Sequence, residues 1–143
     1  MKRLLLSLWL ASCLCVQAIA QPVDGPACAC IDAGYARDNQ IGALRNHAPE
    51  SAPIAQAVRT YADGLAALDF SGCPAAFKEA FAAHERAWRA AIPYLERHAE
   101  ERGEMHAVFA RLRAGGDGEQ LKALEKAIWD SWAMVEAAGQ APD

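Results

Sequence analysis

The chain has 143 residues, of which 53% are hydrophobic and 22% are charged, and its formal net charge is −4 at pH 7. This length and apolar content are sufficient for one folded domain with a buried core. The acidic balance argues against nucleic acid and anionic lipid headgroups as partners, because both attract basic surfaces.

The first twenty residues predict an export signal. Lys2 and Arg3 precede an apolar run from Leu4 to Ala11, and Ala18-Ile19-Ala20 forms an A-x-A cleavage site. The apolar run is too short for a bilayer, which requires about 20 apolar residues. Cleavage after Ala20 predicts an exported protein of a bacterial envelope, periplasmic or secreted, with no transmembrane span after processing.

A second processing site lies inside the same segment. Leu10-Ala11-Ser12-Cys13 resembles the lipobox of bacterial lipoproteins, in which the cysteine is lipidated and becomes the first mature residue. Processing at Cys13 would attach the protein to a membrane through its lipid. The well-formed A-x-A site favours cleavage after Ala20, and the lipoprotein is the alternative.

Residues 21–49 predict an irregular or loosely helical lead-in, because three prolines and three glycines interrupt the pattern. A short helix within 31–47 is the alternative. We expect residues 50–138 to form the folded domain and residues 139–143 to form a frayed tail.

The cysteines of this lead-in suggest a disulfide. Cleavage after Ala20 retains Cys28, Cys30 and Cys73, so we expect Cys28 or Cys30 to pair with Cys73 and one thiol to remain. Processing at Cys13 would also retain Cys15 and make the number of pairable cysteines even. The competing interpretation is a Cys28/Cys30 thiolate pair that binds copper(I) or exchanges electrons.

Three later segments have apolar residues at helical spacing. We expect helices with inner stripes of Ile54, Val58, Tyr61, Leu65 and Leu68, then Phe77, Phe81, His84 and Trp88, and finally Leu121, Leu124, Ile128, Trp132 and Val135. Pro93 is expected to kink or split the second helix, which otherwise continues to Arg113. The predicted fold is therefore all-α, a small antiparallel bundle of three to four amphipathic helices.

Motifs for catalysis and cofactor binding are absent from the sequence. The chain has no G-x-S-x-G nucleophile motif, no C-x-x-C-H haem attachment motif and no Glu-x-x-His di-iron motif. We expect no cofactor and a non-enzymatic role. The alternatives are a copper or haem carrier that uses Cys28, Cys30 and His84, and a catalytic bundle with His84 as acid or base.

Two aromatic residues are candidates for a binding surface. Trp129 lies about 100° round its predicted helix from the inner residue Ile128, at the edge of the apolar stripe. Exposed tryptophans are frequent at binding hot spots. We expect Trp129, with Tyr94, to contact a protein partner or a small apolar ligand.

The mature N-terminus can be checked by intact mass before and after reduction and thiol labelling. Cleavage after Ala20 predicts a chain that starts at Gln21, carries no lipid, and has either one free thiol or a disulfide-linked dimer. A lipidated chain that starts at Cys13 would contradict this prediction.

Overall fold

The computed structural model describes residues 25–140, and within this range the chain is all-helical, as predicted. It contains five α-helices rather than the three or four expected. They are α1 (Pro26–His47), α2 (Ile54–Ala66), α3 (Ala75–Glu96), α4 (Met105–Arg113) and α5 (Gly118–Gln140), with a 3-10 turn at Ala48–Glu50. None of the five is both long and apolar enough to cross a membrane. The signal segment, Cys13 and residues 141–143 lie outside the described residues.

The prediction of an irregular lead-in is wrong for residues 26–47, which form α1. Gly25 precedes the helix and Pro26 occupies its first turn, where a proline N–H is not needed. Gly34 does not break the helix. A Cβ there would lie 3.1 Å from ring carbons of both Phe70 and Phe77, so the glycine allows close packing of two aromatic rings.

The core forms around α3, which has its most extensive contacts with α5 and α2. Phe77, Phe81 and Trp88 are buried on the predicted inner face of α3. The predicted stripes of α2 and α5 also face the core. Their buried members are Ile54, Val58, Tyr61 and Leu65 in α2, and Leu121, Ile128 and Val135 in α5.

The helix break expected at Pro93 lies further along the chain. Pro93 is an exposed residue inside α3, which continues to Glu96. The break covers residues 97–104, where Gly103 has φ +129°, a conformation that L side chains rarely adopt. Glu104 then caps α4 by accepting hydrogen bonds from the backbone N–H groups of His106 and Ala107. The glycine and the cap therefore set the boundary that we had assigned to the proline.

A disulfide joins Cys30 in α1 to Cys73, which lies two residues before the start of α3, with a Cα–Cα distance of 5.4 Å. Cys28 is free and half-buried. Residues two apart on a helix lie about 200° apart around its axis, so Cys28 and Cys30 face different directions. Of the two alternatives in the sequence, the structure thus selects Cys30.

We predict that Cys30→Ser lowers the free energy of unfolding by about 4 kcal/mol, because the disulfide closes a loop of 43 residues in the unfolded chain. Urea denaturation without reductant measures this loss. Cys28→Ser is the matched control and should change the free energy by less than about 0.5 kcal/mol. Equal losses in the two variants would contradict the pairing.

Candidate functional site

Arg45, near the end of α1, extends into a corner formed by two aromatic rings. Its guanidinium carbon lies 4.3 Å from the centroid of the Tyr61 ring and 4.2 Å from that of Trp88. The two rings meet edge to face, with centroids 5.4 Å apart. Burial lowers the pKa of the Arg45 guanidinium from its usual range, but arginine stays protonated in proteins. The corner therefore holds a permanent positive charge against two electron-rich rings.

The guanidinium of Arg45 uses only one of its edges for hydrogen bonds within the described chain. Nε and Nη2 donate to Oδ1 of Asn46 at 3.2 and 3.0 Å. Nη1 has no partner among residues 25–140, and no carboxylate in that range lies within 4.0 Å of the guanidinium. No fully buried side-chain nitrogen or oxygen in the described residues lacks a partner. Arg45 itself is half-buried and lines two surface cavities, so its guanidinium lies at the edge of the core.

Two surface cavities share Arg45 as a wall. The smaller has a volume of about 40 Å³ and is lined mainly by Arg45, Trp88, Met105, Phe109, Ile128 and Trp129. The larger, of about 160 Å³, is lined mainly by Ile41, Leu44, Arg45, Ala57, Thr60 and Tyr61.

Two exposed apolar side chains belong to the walls of these cavities. Leu44 is 68% exposed and Trp129 is 62% exposed. The described residues contain one further large exposed hydrophobic side chain, Met134, which lines a different groove between α3 and α5. We call Leu44, Arg45 and Trp129 the Arg45 surface.

A buried histidine lies behind the Trp88 ring. Nε1 of Trp88 donates to Nε2 of His84 at 3.1 Å. An indole N–H can only donate, so Nε2 carries a lone pair and the proton of the neutral ring is on Nδ1. This proton is donated to Oγ of Ser131 at 2.9 Å, and the Ser131 hydroxyl donates to the carbonyl of Ile128 at 2.7 Å. Both ring nitrogens of His84 are thus occupied.

The environment of His84 favours the neutral ring. His84 is only 3% exposed. Burial, together with the nearby charge of Arg45, lowers the pKa of His84 to about 4. The ring is therefore uncharged at neutral pH and acts as a structural link between α3 and α5.

Tyr61 connects Arg45 to an acidic residue of α1. Its hydroxyl donates to Oδ1 of Asp38 at 2.5 Å. Burial raises the pKa of Asp38, while the Tyr61 hydrogen bond and Arg45 oppose this shift. Burial and the neighbouring Asp38 carboxyl raise the pKa of Tyr61 above its usual range. Tyr61 therefore stays protonated and keeps donating to Asp38.

The geometry does not assemble the metal site that we considered from the sequence. Cys30 is in a disulfide and has no free thiolate, and the nitrogens of His84 are both hydrogen-bonded. Residues 25–140 contain no group of three His, Cys, Asp or Glu side chains that could hold a metal ion. Cys28, Cys30 and His84 are therefore not brought together as ligands in this range.

Tyr94, which we expected beside Trp129 on a partner surface, lies in the core. Tyr94 is only 1% exposed. Its ring packs against His98 with centroids 4.8 Å apart, and its hydroxyl donates to Oδ1 of Asp117 at 3.3 Å. Tyr94 lies on the inner face because α3 continues through Pro93 in the same helical register.

The sequence did not identify Arg45 as a site residue. The residue lies in the segment that we expected to be irregular, and its aromatic neighbours Tyr61 and Trp88 are 16 and 43 positions away in the sequence. The chain matches no protein-family model, and no curated protein or solved structure matches it.

We predict that the stability of the protein falls between pH 7 and pH 5 because of His84. Its pKa of about 4 in the folded chain is below the value of 6.5 that it has when unfolded. In this window the unfolded state binds more protons, so acidification favours unfolding, by about 2 kcal/mol from this one group. Urea denaturation at the two pH values measures the change.

The matched variants for this test are His84→Gln and His106→Gln. The first removes the buried titrating ring and should abolish most of the pH dependence. The second replaces an exposed histidine that binds Glu104 and should retain it. An unchanged pH dependence in His84→Gln would show that another group is responsible.

Proposed function

We propose that this chain is an exported, non-enzymatic binding protein that recognises a protein partner through the Arg45 surface. One observation carries the proposal. Two of the three large hydrophobic side chains that the described domain exposes, Leu44 and Trp129, lie in cavity walls that share Arg45. Tryptophan and arginine are the residue types most enriched at binding hot spots.

The size of the cavities favours a protein over a small apolar ligand. Pockets that enclose a small molecule usually have volumes of about 300–1,000 Å³. The two cavities at Arg45 have volumes of about 40 and 160 Å³. They accommodate the ends of individual side chains, as the shallow pockets of a protein interface do.

The neighbouring polar groups support a binding role. His84 and Ser131 are buried, and their hydrogen-bonding atoms are engaged with each other, with Trp88 and with the backbone of Ile128. A general base must be able to reach a proton of its substrate. The His84 ring offers no free nitrogen to a substrate, which favours a binding role over a catalytic one for the exposed part of this region.

Export is supported by the N-terminal sequence and by the disulfide. Lys2, Arg3 and the apolar run precede an A-x-A site, and Cys30 and Cys73 are paired. Disulfides persist mainly in oxidising compartments such as the periplasm or the cell exterior. The protein acts there either free, after cleavage at Ala20, or anchored through a lipid on Cys13.

Site-specific photo-crosslinking in the producing bacterium tests the proposal. A photoreactive amino acid at position 129 should give one discrete adduct of higher mass, which mass spectrometry identifies as a protein. Leu44→Glu should reduce the yield of that adduct at least fivefold, because it places a charge on the apolar contact.

The matched control is the same photoreactive amino acid at Met134, which is also exposed but lies on the α3–α5 groove. It should not give this adduct. The proposal fails if position 129 yields no adduct, or if both positions yield the same set.

A further inference from the structure

We propose that Arg45 binds a carboxylate that the partner presents next to an apolar group. This inference rests on the proposed protein-binding function and specifies the chemistry of the partner. It follows from the unused edge of the guanidinium, the volume beside it and the charges around it.

The guanidinium of Arg45 has a free edge suited to two parallel hydrogen bonds. Asn46 accepts from Nε and Nη2, which occupy one side of the fork. The two N–H groups of Nη1 and the second N–H of Nη2 remain. These two nitrogens form the end of the fork, which can bind both oxygens of one carboxylate.

The aromatic corner fixes the direction of this edge. Tyr61 and Trp88 contact the guanidinium on two sides, and Asn46 holds it on a third. Little side-chain freedom is left to lose when a ligand binds, and such preorganisation increases affinity.

The cavity beside Arg45 has room for a carboxylate. Its volume is about 40 Å³, and one water-sized group needs about 10–15 Å³ of such space. About three heavy atoms therefore fit, which is the size of a carboxylate. The walls are largely apolar, with Phe109, Ile128 and Trp129 among them, and an apolar surrounding strengthens a charged hydrogen bond.

The charges around the cavity leave Arg45 available for an anion. Glu125 also lines the cavity, but it pairs with Arg113 at 2.5 Å. His106 binds Glu104 at 2.7 Å. Asp38 accepts the Tyr61 hydroxyl and forms no ion pair with Arg45, although its charge acts to raise the pKa of Arg45. The carboxylates near Arg45 thus have other partners.

Trp129 favours an apolar group next to the carboxylate of the ligand. Its ring forms part of the wall of the cavity and is 62% exposed. A ligand whose carboxylate enters the cavity would place its neighbouring atoms on this ring. An aromatic or aliphatic group next to the carboxylate therefore fits, either as an acidic side chain beside an apolar residue or as a chain terminus after one.

The test compares 3-phenylpropionate with its uncharged analogue 3-phenylpropionamide on the purified wild-type protein. Binding is followed by tryptophan fluorescence and by the NMR signals of the Trp129 indole and the Arg45 Nε–H. The acid should bind at least about tenfold more tightly than the amide, because only the carboxylate carries a charge opposite to that of the guanidinium and offers it two equivalent oxygens.

Two further probes distinguish the sources of the carboxylate. N-acetyl-phenylalanyl-glutamate α-amide carries only a side-chain carboxylate, because its terminus is amidated. N-acetyl-phenylalanyl-alanine carries only a terminal carboxylate. The probe that binds with the higher affinity identifies whether the partner inserts an acidic side chain or its C-terminus.

Arg45→Gln should reduce the binding of the acid at least tenfold and leave the amide unchanged. The affinity of Arg45→Lys for the acid should lie between those of the wild type and Arg45→Gln, because lysine keeps the charge but not the planar fork. Arg86→Gln is the matched control, since Arg86 is an exposed arginine on the α3–α5 groove, and it should bind as the wild type does. If Arg45→Gln does not fold, two measurements still test the inference. They are the acid–amide comparison on the wild type and the Trp129→Ala variant, which should weaken the binding of both compounds.

Equal affinity for acid and amide, or no binding of either, overturns the carboxylate inference. A discrete adduct from position 129 together with either result leaves the protein-binding function in place. Selective binding of the acid without any adduct would instead reject the protein partner and retain the carboxylate site.

Discussion

The architecture depends on the attachment of α1 to the other helices. This helix has few buried apolar residues, and its contacts with α2 and α4 are modest compared with those that α3 makes. It is held near both ends by specific interactions. Cys30 is covalently bound to Cys73, and fifteen residues later Arg45 inserts its guanidinium between the rings of Tyr61 and Trp88. The same contact that attaches the end of α1 also creates the positively charged corner of the surface.

Trp88 links this corner to the interior. Its ring contacts Arg45, and its N–H donates to His84, which in turn binds Ser131 of α5. Each donor in this chain has one acceptor, so the orientation of the indole is fixed from inside the core. A cation held by a fixed ring is a better preorganised binding group than an arginine on a free surface. The buried polar groups thus position the Trp88 ring, and their hydrogen bonds are made within the fold.

The sequence predicted those elements whose stability comes from an amphipathic face. The stripes of Val58, Tyr61 and Leu65 and of Phe77, Phe81 and Trp88 repeat at helical spacing, and burial of such a face largely determines where a helix forms. The prediction failed where other interactions decide. In α1, Gly34 serves aromatic packing, and the helix end expected at Pro93 is set instead by Gly103 and the cap of Glu104. The sequence left two possible disulfides, Cys28–Cys73 and Cys30–Cys73. The choice between them depends on which cysteine of α1 faces Cys73, and this is known only from the structure.

The candidate site shows the same difference between features set within one helix and features set by contacts between helices. Trp129 was accessible to sequence reasoning because its position is defined within one helix, relative to Ile128. Arg45 was not, because its importance arises from residues of α2 and α3 that come together only in the fold. An arginine beside Asn46 has no distinctive local pattern. In the fold it is packed against two rings, with one edge of its guanidinium bound to Asn46. It also lines the two cavities to which the exposed side chains of Trp129 and Leu44 belong.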